Sequence, residues 1–285
     1  MEQAQRMEII PLSDAIGAEI RGVDLSNPLD TATASIIEKA WHDHIVLLFR
    51  DQDIDTDQQI AFAKHFGNVG TRSRPAERRP EGADYNASVM LISNIKKNGK
   101  YIGSLPDGEM WFHHDMCYDP APHKGTFLYA IELPSIGGNT LFANMYMAYD
   151  ALDANTKERI KAQRALQIYD FATRETVDIS EDISKYKHEV QPVSITHPVT
   201  GRRALYVNPL ITARIENWEG EDSKAMLEQL FEFGNNQDII YEHEWRVGDL
   251  IMWDNWCSCH ARTDFPKSER RKLRRCTVKG QPLCE

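Results

Sequence analysis

Short apolar runs of four or five residues, each closed by turn chemistry, recur along this 285-residue chain and constrain its fold more than any other feature. Ile45-Val46-Leu47-Leu48-Phe49, Val89-Met90-Leu91-Ile92, Thr126-Phe127-Leu128-Tyr129-Ala130, Asn139-Thr140-Leu141-Phe142, Ala204-Leu205-Tyr206-Val207 and Asp249-Leu250-Ile251-Met252-Trp253 are too short for helices and rich in β-forming residues. Between them, Ile36, Ile37, Ala40 and Trp41 follow a capping Asp30-Thr31 with helical spacing, and Ile60, Ala63 and Phe66 repeat it before Gly67. A further helix is expected over about 222–233, and a helical insertion over about 145–190 carrying Met147, Tyr149, Leu152, Ile160 and Leu166. The pattern predicts a mainly β fold with inserted helices, a double-stranded β-helix or jelly roll. No repeat, low-complexity tract or linker divides the chain, so one domain over 1–285 is expected.

A formal net charge of -10 argues against a nucleic-acid surface. No apolar run is long enough to span a bilayer, and Met1 to Arg6 lack the apolar stretch of a signal peptide, so a cytoplasmic protein is expected. The five cysteines, Cys117, Cys257, Cys259, Cys276 and Cys284, are odd in number and read as reduced thiols rather than a disulfide framework.

The chemistry concentrates at His113-His114-Asp115. On a strand, His113 and Asp115 share a face while His114 points away. His260, in Asp254-Asn255-Trp256-Cys257-Ser258-Cys259-His260, supplies a third ligand. Two histidines and one carboxylate with open positions form the ligand set of non-haem Fe(II) oxygenases. Cys257, Cys259 and His260 could instead hold zinc, but the remaining cysteines provide no second ligand pair.

Near the C-terminus, Arg270-Arg271-Lys272-Leu273-Arg274-Arg275-Cys276 runs into a strand, where Arg271, Leu273, Arg275 and Thr277 would share a face. Inward guanidiniums need anionic partners, and each can hold a carboxylate through paired hydrogen bonds. Two such arginines point to two anions, one on a cosubstrate and one on a substrate.

An ordered series of segments then resembles the Fe(II)- and 2-oxoglutarate-dependent dioxygenases of the taurine dioxygenase and 2,4-dichlorophenoxyacetate dioxygenase type. It includes Gly22-Val23-Asp24-Leu25-Ser26, Leu47-Leu48-Phe49-Arg50-Asp51-Gln52, Gly137-Gly138-Asn139-Thr140, His197-Pro198-Val199-Thr200-Gly201-Arg202, Leu205-Tyr206-Val207-Asn208 and Gly248-Asp249-Leu250-Ile251-Met252-Trp253-Asp254-Asn255. The resemblance implies Fe(II) on His113, Asp115 and His260, with 2-oxoglutarate and O2 as cosubstrates. It implies that Thr140 and Arg271 bind the distal carboxylate of 2-oxoglutarate and that Arg275 binds the acidic group of a small anionic substrate. Arg72, near the position of a sulfonate-binding histidine in the taurine enzyme, and Met116, beside the triplet, are further candidates for substrate contact. Phe112 stands between Trp111 and His113, a departure from the usual Trp-His-x-Asp.

The reaction implied is hydroxylation of a small organic anion, a carboxylate such as an aryloxyalkanoate or arylacetate. A taurine-type sulfonate reaction is the alternative within the family, and a non-catalytic jelly-roll binding module the alternative outside it. Related halogenases lack the ligand carboxylate, so Asp115 argues against halogenation. The resemblance also implies a homo-oligomer, while the net charge and the lack of a spanning apolar run point to no nucleic-acid or membrane partner.

Overall fold

The structure is a computed structural model that describes residues 6–72, 76–82, 84–105, 108–171, 176–180 and 182–285. The first strands are β1 (Glu8–Pro11), β2 (Ala18–Arg21), β3 (Val46–Phe49) and β4 (Val89–Ser93). A small hairpin, β5 (Lys96–Lys97) and β6 (Lys100–Tyr101), precedes β7 (Met110–His113), β8 (Gly125–Glu132) and β9 (Thr140–Asn144). Then come β10 (Arg164–Tyr169), β11 (Lys187–Pro192), β12 (Ser194–Thr196), β13 (Arg203–Leu205) and β14 (Thr212–Ile215). The chain closes with β15 (Ile240–His243), β16 (Leu250–Asp254), β17 (Ser258–Arg262) and β18 (Lys272–Val278). The helices are α1 (Thr31–His44), α2 (Thr56–Lys64), α3 (Met145–Asp150), α4 (Ala154–Ile160) and α5 (Gly220–Gly234).

Two sheets position the site. The larger has the order β1-β2-β3-β16-β8-β18-β4, and the smaller β15-β9-β17-β7. Strand alternation sorts the larger sheet's side chains onto two faces. Leu47, Phe49, Phe127, Tyr129, Leu250, Met252 and Cys276 join Ile37 and Trp41 of α1 and Phe62 of α2 in one apolar cluster. Val46, Leu48, Leu128, Ala130, Ile251, Trp253 and Leu273 point the other way, into a second cluster with Phe142 of β9 and Cys259 of β17. Phe142 lies 5.3 Å from Trp253 between ring centroids, so the two sheets meet face to face there.

The first two helices begin at side-chain caps. Asp30 accepts from the Thr33 backbone at the start of α1, and Asp55 with Gln58 forms a reciprocal capping box on α2. Gly125 opens β8 because a Cβ there would lie 2.7 Å from the Trp41 ring. Arg274 leaves the inter-sheet face entirely: its Nε donates to Gln59 Oε1 at 2.6 Å and its Nη2 to Ile54 O at 2.7 Å.

The segment over 145–190 departs from the expected helical insertion. Helix ends at Ile160, and Leu166 lies on β10, paired with Val190 of β11. Ala165, Leu166 and Ile168 are buried, and the run Leu166-Gln167-Ile168-Tyr169 satisfies its backbone in a ladder with β11 and β14. A strand with both neighbours supplied outweighed the three-to-four spacing seen in sequence. Among the described residues, no helix is long and apolar enough to cross a membrane.

Candidate active site

His113 ends β7 and faces His260 directly across the β7–β17 ladder, their rings 4.1 Å apart between centroids. The strand stops there, so Asp115 does not share a strand face with His113 as the sequence predicted. It lies in the turn that follows, where Met116 adopts φ 61°. That left-handed residue turns the chain, and the turn rather than the pleat brings the carboxylate back to the imidazoles. One ligand atom from each of His113, Asp115 and His260 lies within 4.8 Å of the others. His114 points to the opposite side, against Tyr206 at 4.3 Å and with Cys259 Sγ 3.3 Å from its Nδ1.

The donors suit a divalent metal. The Trp111 carbonyl accepts from His113 Nδ1 at 2.8 Å, which leaves Nε2 as the lone-pair atom. Burial drives the pKa of both His113 and His260 down, keeping them neutral. Burial alone would raise the Asp115 pKa, but Arg275, His260, His113 and the Thr126 hydroxyl outweigh it and hold the carboxyl well below its ordinary range. Thr126 Oγ1 donates to Asp115 Oδ2 at 2.7 Å, and Arg275 Nη2 stands 3.0 Å from the same oxygen. Thr126 in turn accepts from Asn255, whose Oδ1 accepts from Trp253 Nε1 at 2.7 Å.

These imidazoles, with the half-buried His42 and His123 and the buried His243, contribute to the acid response of the metal-free protein. His113, His114 and His260 have folded-state pKa values below the ordinary histidine value, that of His114 at about 3 through burial. Below pH of about 6.5 the unfolded chain takes up protons that the folded state refuses, so stability falls as pH falls. Thermal denaturation of the apo-protein is expected to show a lower Tm at pH 5.5 than at pH 7.5. Equal values would contradict neutral imidazoles among these histidines.

Beside the ligand set is a cavity lined by His113, His260, Thr140, Trp253, Arg262, Arg271 and Arg275, with Ile92, Leu105, Met110, Leu128 and Ala261 as its apolar wall. Arg271 precedes β18, and the register shifts between Lys272 and Leu273, yet Arg271 and Arg275 both reach this cavity. Arg271 is buried, and burial, then the nearby charge of Arg262, pushes its pKa down to about 9. Its Nη2 donates to Gly138 O at 3.0 Å, its Nε has no partner, and no acidic side chain among the described residues pairs with it. Gly137 and Gly138 have φ of 73° and 68°, and a Cβ on Gly138 would sit 2.9 Å from Arg271 Nε. The paired glycines of Gly137-Gly138-Asn139-Thr140 therefore make room for that guanidinium.

Neither Arg72 nor Met116 is among the residues that line the cavity. Arg72 Nη1 pairs with Glu81 at 2.7 Å, and Glu81 also accepts from the Leu91 backbone. Met116 Sδ accepts from the Tyr118 hydroxyl at 3.2 Å. The thiols of Cys257 and Cys259 diverge, one toward His197 and Asp254, the other toward His114, so they share no metal site with His260. His197, Asp254 and Cys257 do cluster, but His197 Nδ1 accepts from the Val199 and Thr200 backbones. Its Nε2 is left to donate to Asp254 Oδ2 at 3.0 Å, so the cluster is closed by its own hydrogen bonds.

Sequence reasoning missed three residues. Thr126 braces Asp115, Trp245 Nε1 donates to Thr140 Oγ1 at 3.0 Å, and Arg262 Nη1 donates to Leu105 O at 2.9 Å and its Nη2 to Gly108 O at 2.6 Å. For Arg262 a signal was present, since it lies two residues after His260 on the same strand face.

Comparison with known proteins agrees with this geometry. The chain is 36% identical over 96% of its length, and 94% of the relative's, to pentalenolactone F synthase of Streptomyces avermitilis. It is 31% identical over 98% of its length, and 96% of the relative's, to the (S)-phenoxypropionate/alpha-ketoglutarate-dioxygenase of Sphingobium herbicidovorans. The solved structure of AAD-2 in complex with Mn(II) and N-oxalylglycine superposes with a TM-score of 0.78, at 30% identity, covering 98% of this chain and 99% of that one. Residues 8–277 match the family described as "Taurine catabolism dioxygenase TauD, TfdA family". With its His-Asp-His set buried beside an arginine-lined cavity, the chain belongs to the TauD/TfdA family of Fe(II)- and 2-oxoglutarate-dependent dioxygenases.

Proposed function

We propose that this dioxygenase oxidises a small organic carboxylate of the aryloxyalkanoate or arylacetate class. His113, Asp115 and His260 hold the iron, and Thr140 with Arg271 binds the C5 carboxylate of 2-oxoglutarate. The observation that carries this reading is Arg271, buried and without an acidic partner among the described residues, in the same cavity as the ligand imidazoles. A guanidinium so placed calls for an anion brought in by a ligand. Iron bound there supplies the oxygen activation that couples oxidative decarboxylation of 2-oxoglutarate to oxidation of a substrate C–H bond.

The residues themselves restrict the substrate. Arg275 already gives Nη2 to Asp115, and its buried Nε has no partner. An acidic group received by Nε sits within one guanidinium width of the iron's carboxylate ligand. The C–H bonds nearest that acid are then the ones presented to the metal, which favours a short acid reacting next to its own carboxylate. Where that carbon carries an ether oxygen, hydroxylation makes a hemiacetal that separates into two products. Trp253 and Phe142 behind the imidazoles, with Leu128 and Ile92, keep the ligand face dry. The two facing sheets serve as the jelly roll carrying this site, with the whole chain acting as one domain and assembling as a homo-oligomer.

Oxygen uptake across a panel of carboxylates, sulfonates and phosphonates tests the substrate class. Carboxylates are expected to stimulate uptake; stimulation by sulfonates alone would establish the taurine-type reaction instead. Arg275→Ala tests the clamp: the substrate KM is expected to rise about tenfold or more, as for loss of a charge-assisted hydrogen bond, with a smaller change for 2-oxoglutarate. The reverse pattern would exchange the roles of the two arginines.

A further inference from the structure

Thr140 is buried on β9, opposite His243 on β15 and Arg262 on β17. Its hydroxyl has one proton to give and lone pairs to receive. Trp245 Nε1 donates to that oxygen at 3.0 Å, and an indole N–H has no acceptor capacity, so it cannot take the threonine's proton in return. No hydrogen bond given by the Thr140 hydroxyl is present among the described residues. The proton is thus available to the cavity that Thr140 shares with Arg271.

The indole is held from behind. Its ring stands edge-on to His243, with centroids 4.7 Å apart and planes at 89°. His243 is fully buried, its Nε2 3.0 Å from Asp249 Oδ2 and its Nδ1 3.1 Å from the Tyr241 hydroxyl. The Asp249 carboxylate can only accept, so Nε2 carries the imidazole proton and Nδ1 accepts from Tyr241. Asp249 Oδ2 also receives Arg50 Nη1 and the Arg246 backbone N–H, both at 2.8 Å. A chain of directed bonds therefore fixes the ring against which Trp245 rests.

We propose that Trp245 is a positioning residue for 2-oxoglutarate: its indole N–H sets the Thr140 hydroxyl as a donor toward the cosubstrate's C5 carboxylate, and the Tyr241–His243–Asp249 chain holds the indole in place. This deepens, and rests on, the assignment of Thr140 and Arg271 to that carboxylate. With Trp245 absent, the hydroxyl is free to rotate and to turn a lone pair toward an anion, which repels it.

Calorimetric titration of 2-oxoglutarate into the Mn(II)-loaded protein tests it, using Trp245→Phe, Thr140→Val and the double variant. Each single change is expected to weaken 2-oxoglutarate binding about tenfold, the scale of one hydrogen bond to a charged group, with Mn(II) affinity unchanged. The double variant is expected to bind no more weakly than Thr140→Val alone, because the indole acts only through that hydroxyl. Wild-type affinity in Trp245→Phe, or losses that multiply in the double variant, would overturn the role of Trp245. No effect of Thr140→Val would overturn the Thr140 assignment beneath it. A second reading leaves Trp245 in place: in the 15N-labelled protein, Thr140→Val is expected to move the Trp245 indole N–H resonance upfield, and an unmoved resonance refutes the bond.

Discussion

Asp115→Ala is expected to abolish both Mn(II) binding and turnover, and to lower the Tm of the metal-free protein. The carboxylate has two tasks: it completes the ligand set with His113 and His260, and it anchors Arg275 and the Thr126 hydroxyl. The Asp115–Arg275 pair is well shielded, with side chains 7% and 15% exposed, so removing one partner strands a charge. Breaking such a pair costs about 3–5 kcal/mol. At roughly 2–4 °C per kcal/mol for a chain of this size, the fall in Tm is large enough to read without ambiguity. Asp115→Asn keeps the volume and an oxygen for Thr126, and separates the effects: a smaller loss of stability with the same loss of metal. Retained metal binding and turnover in both variants would remove Asp115 from the site.

Arg271→Met is expected to move stability and cosubstrate binding in opposite directions. In the ligand-free protein the Arg271 charge is buried against Phe265 and the Gly138 carbonyl, with its Nε unpartnered. An apolar side chain of similar volume removes that burden, and such replacements are neutral or stabilising by about 1–4 kcal/mol. With 2-oxoglutarate the sign reverses, since truncating one member of a buried charge pair costs about 2–5 kcal/mol, at least a thirtyfold rise in KM for 2-oxoglutarate. Differential scanning calorimetry with and without 2-oxoglutarate, together with steady-state kinetics, reads both. A variant that loses stability without ligand and keeps its affinity for 2-oxoglutarate would mean that Arg271 is an ordinary structural arginine.

Much of this site was legible because the strand period is short and strict. Leu47 and Phe49 against Val46 and Leu48, or Leu250 and Met252 against Ile251 and Trp253, alternate between two apolar clusters as the sequence spacing implies. The same alternation put Arg275 on the inner side of β18, while Arg271, just before that strand, and His114, just after β7, lie on the sides that the spacing implied without belonging to a strand. Legibility stopped where a contact depends on which strands become neighbours. Thr126 of the larger sheet reaches Asp115, in the turn after β7 of the smaller one, because the two sheets face each other, and Trp245 reaches Thr140 because β15 pairs with β9. No local spacing encodes a bond between residues 105 positions apart. The turn at Met116 was also hidden, since a left-handed methionine is disfavoured locally and is held there by its surroundings. The strand at Arg164–Tyr169 was misjudged for a related reason: its two ladder partners lie some 20 to 50 residues downstream.

Succinate release from 2-oxoglutarate in the presence of Fe(II), ascorbate and a panel of small carboxylates tests the account most directly. Succinate is expected to form in step with oxidised carboxylate, and to vanish in His113→Ala and Asp115→Ala. No succinate above background from the wild-type protein with any acid on the panel would contradict it, and would mark the chain as a binding module that kept the ligand set without the chemistry.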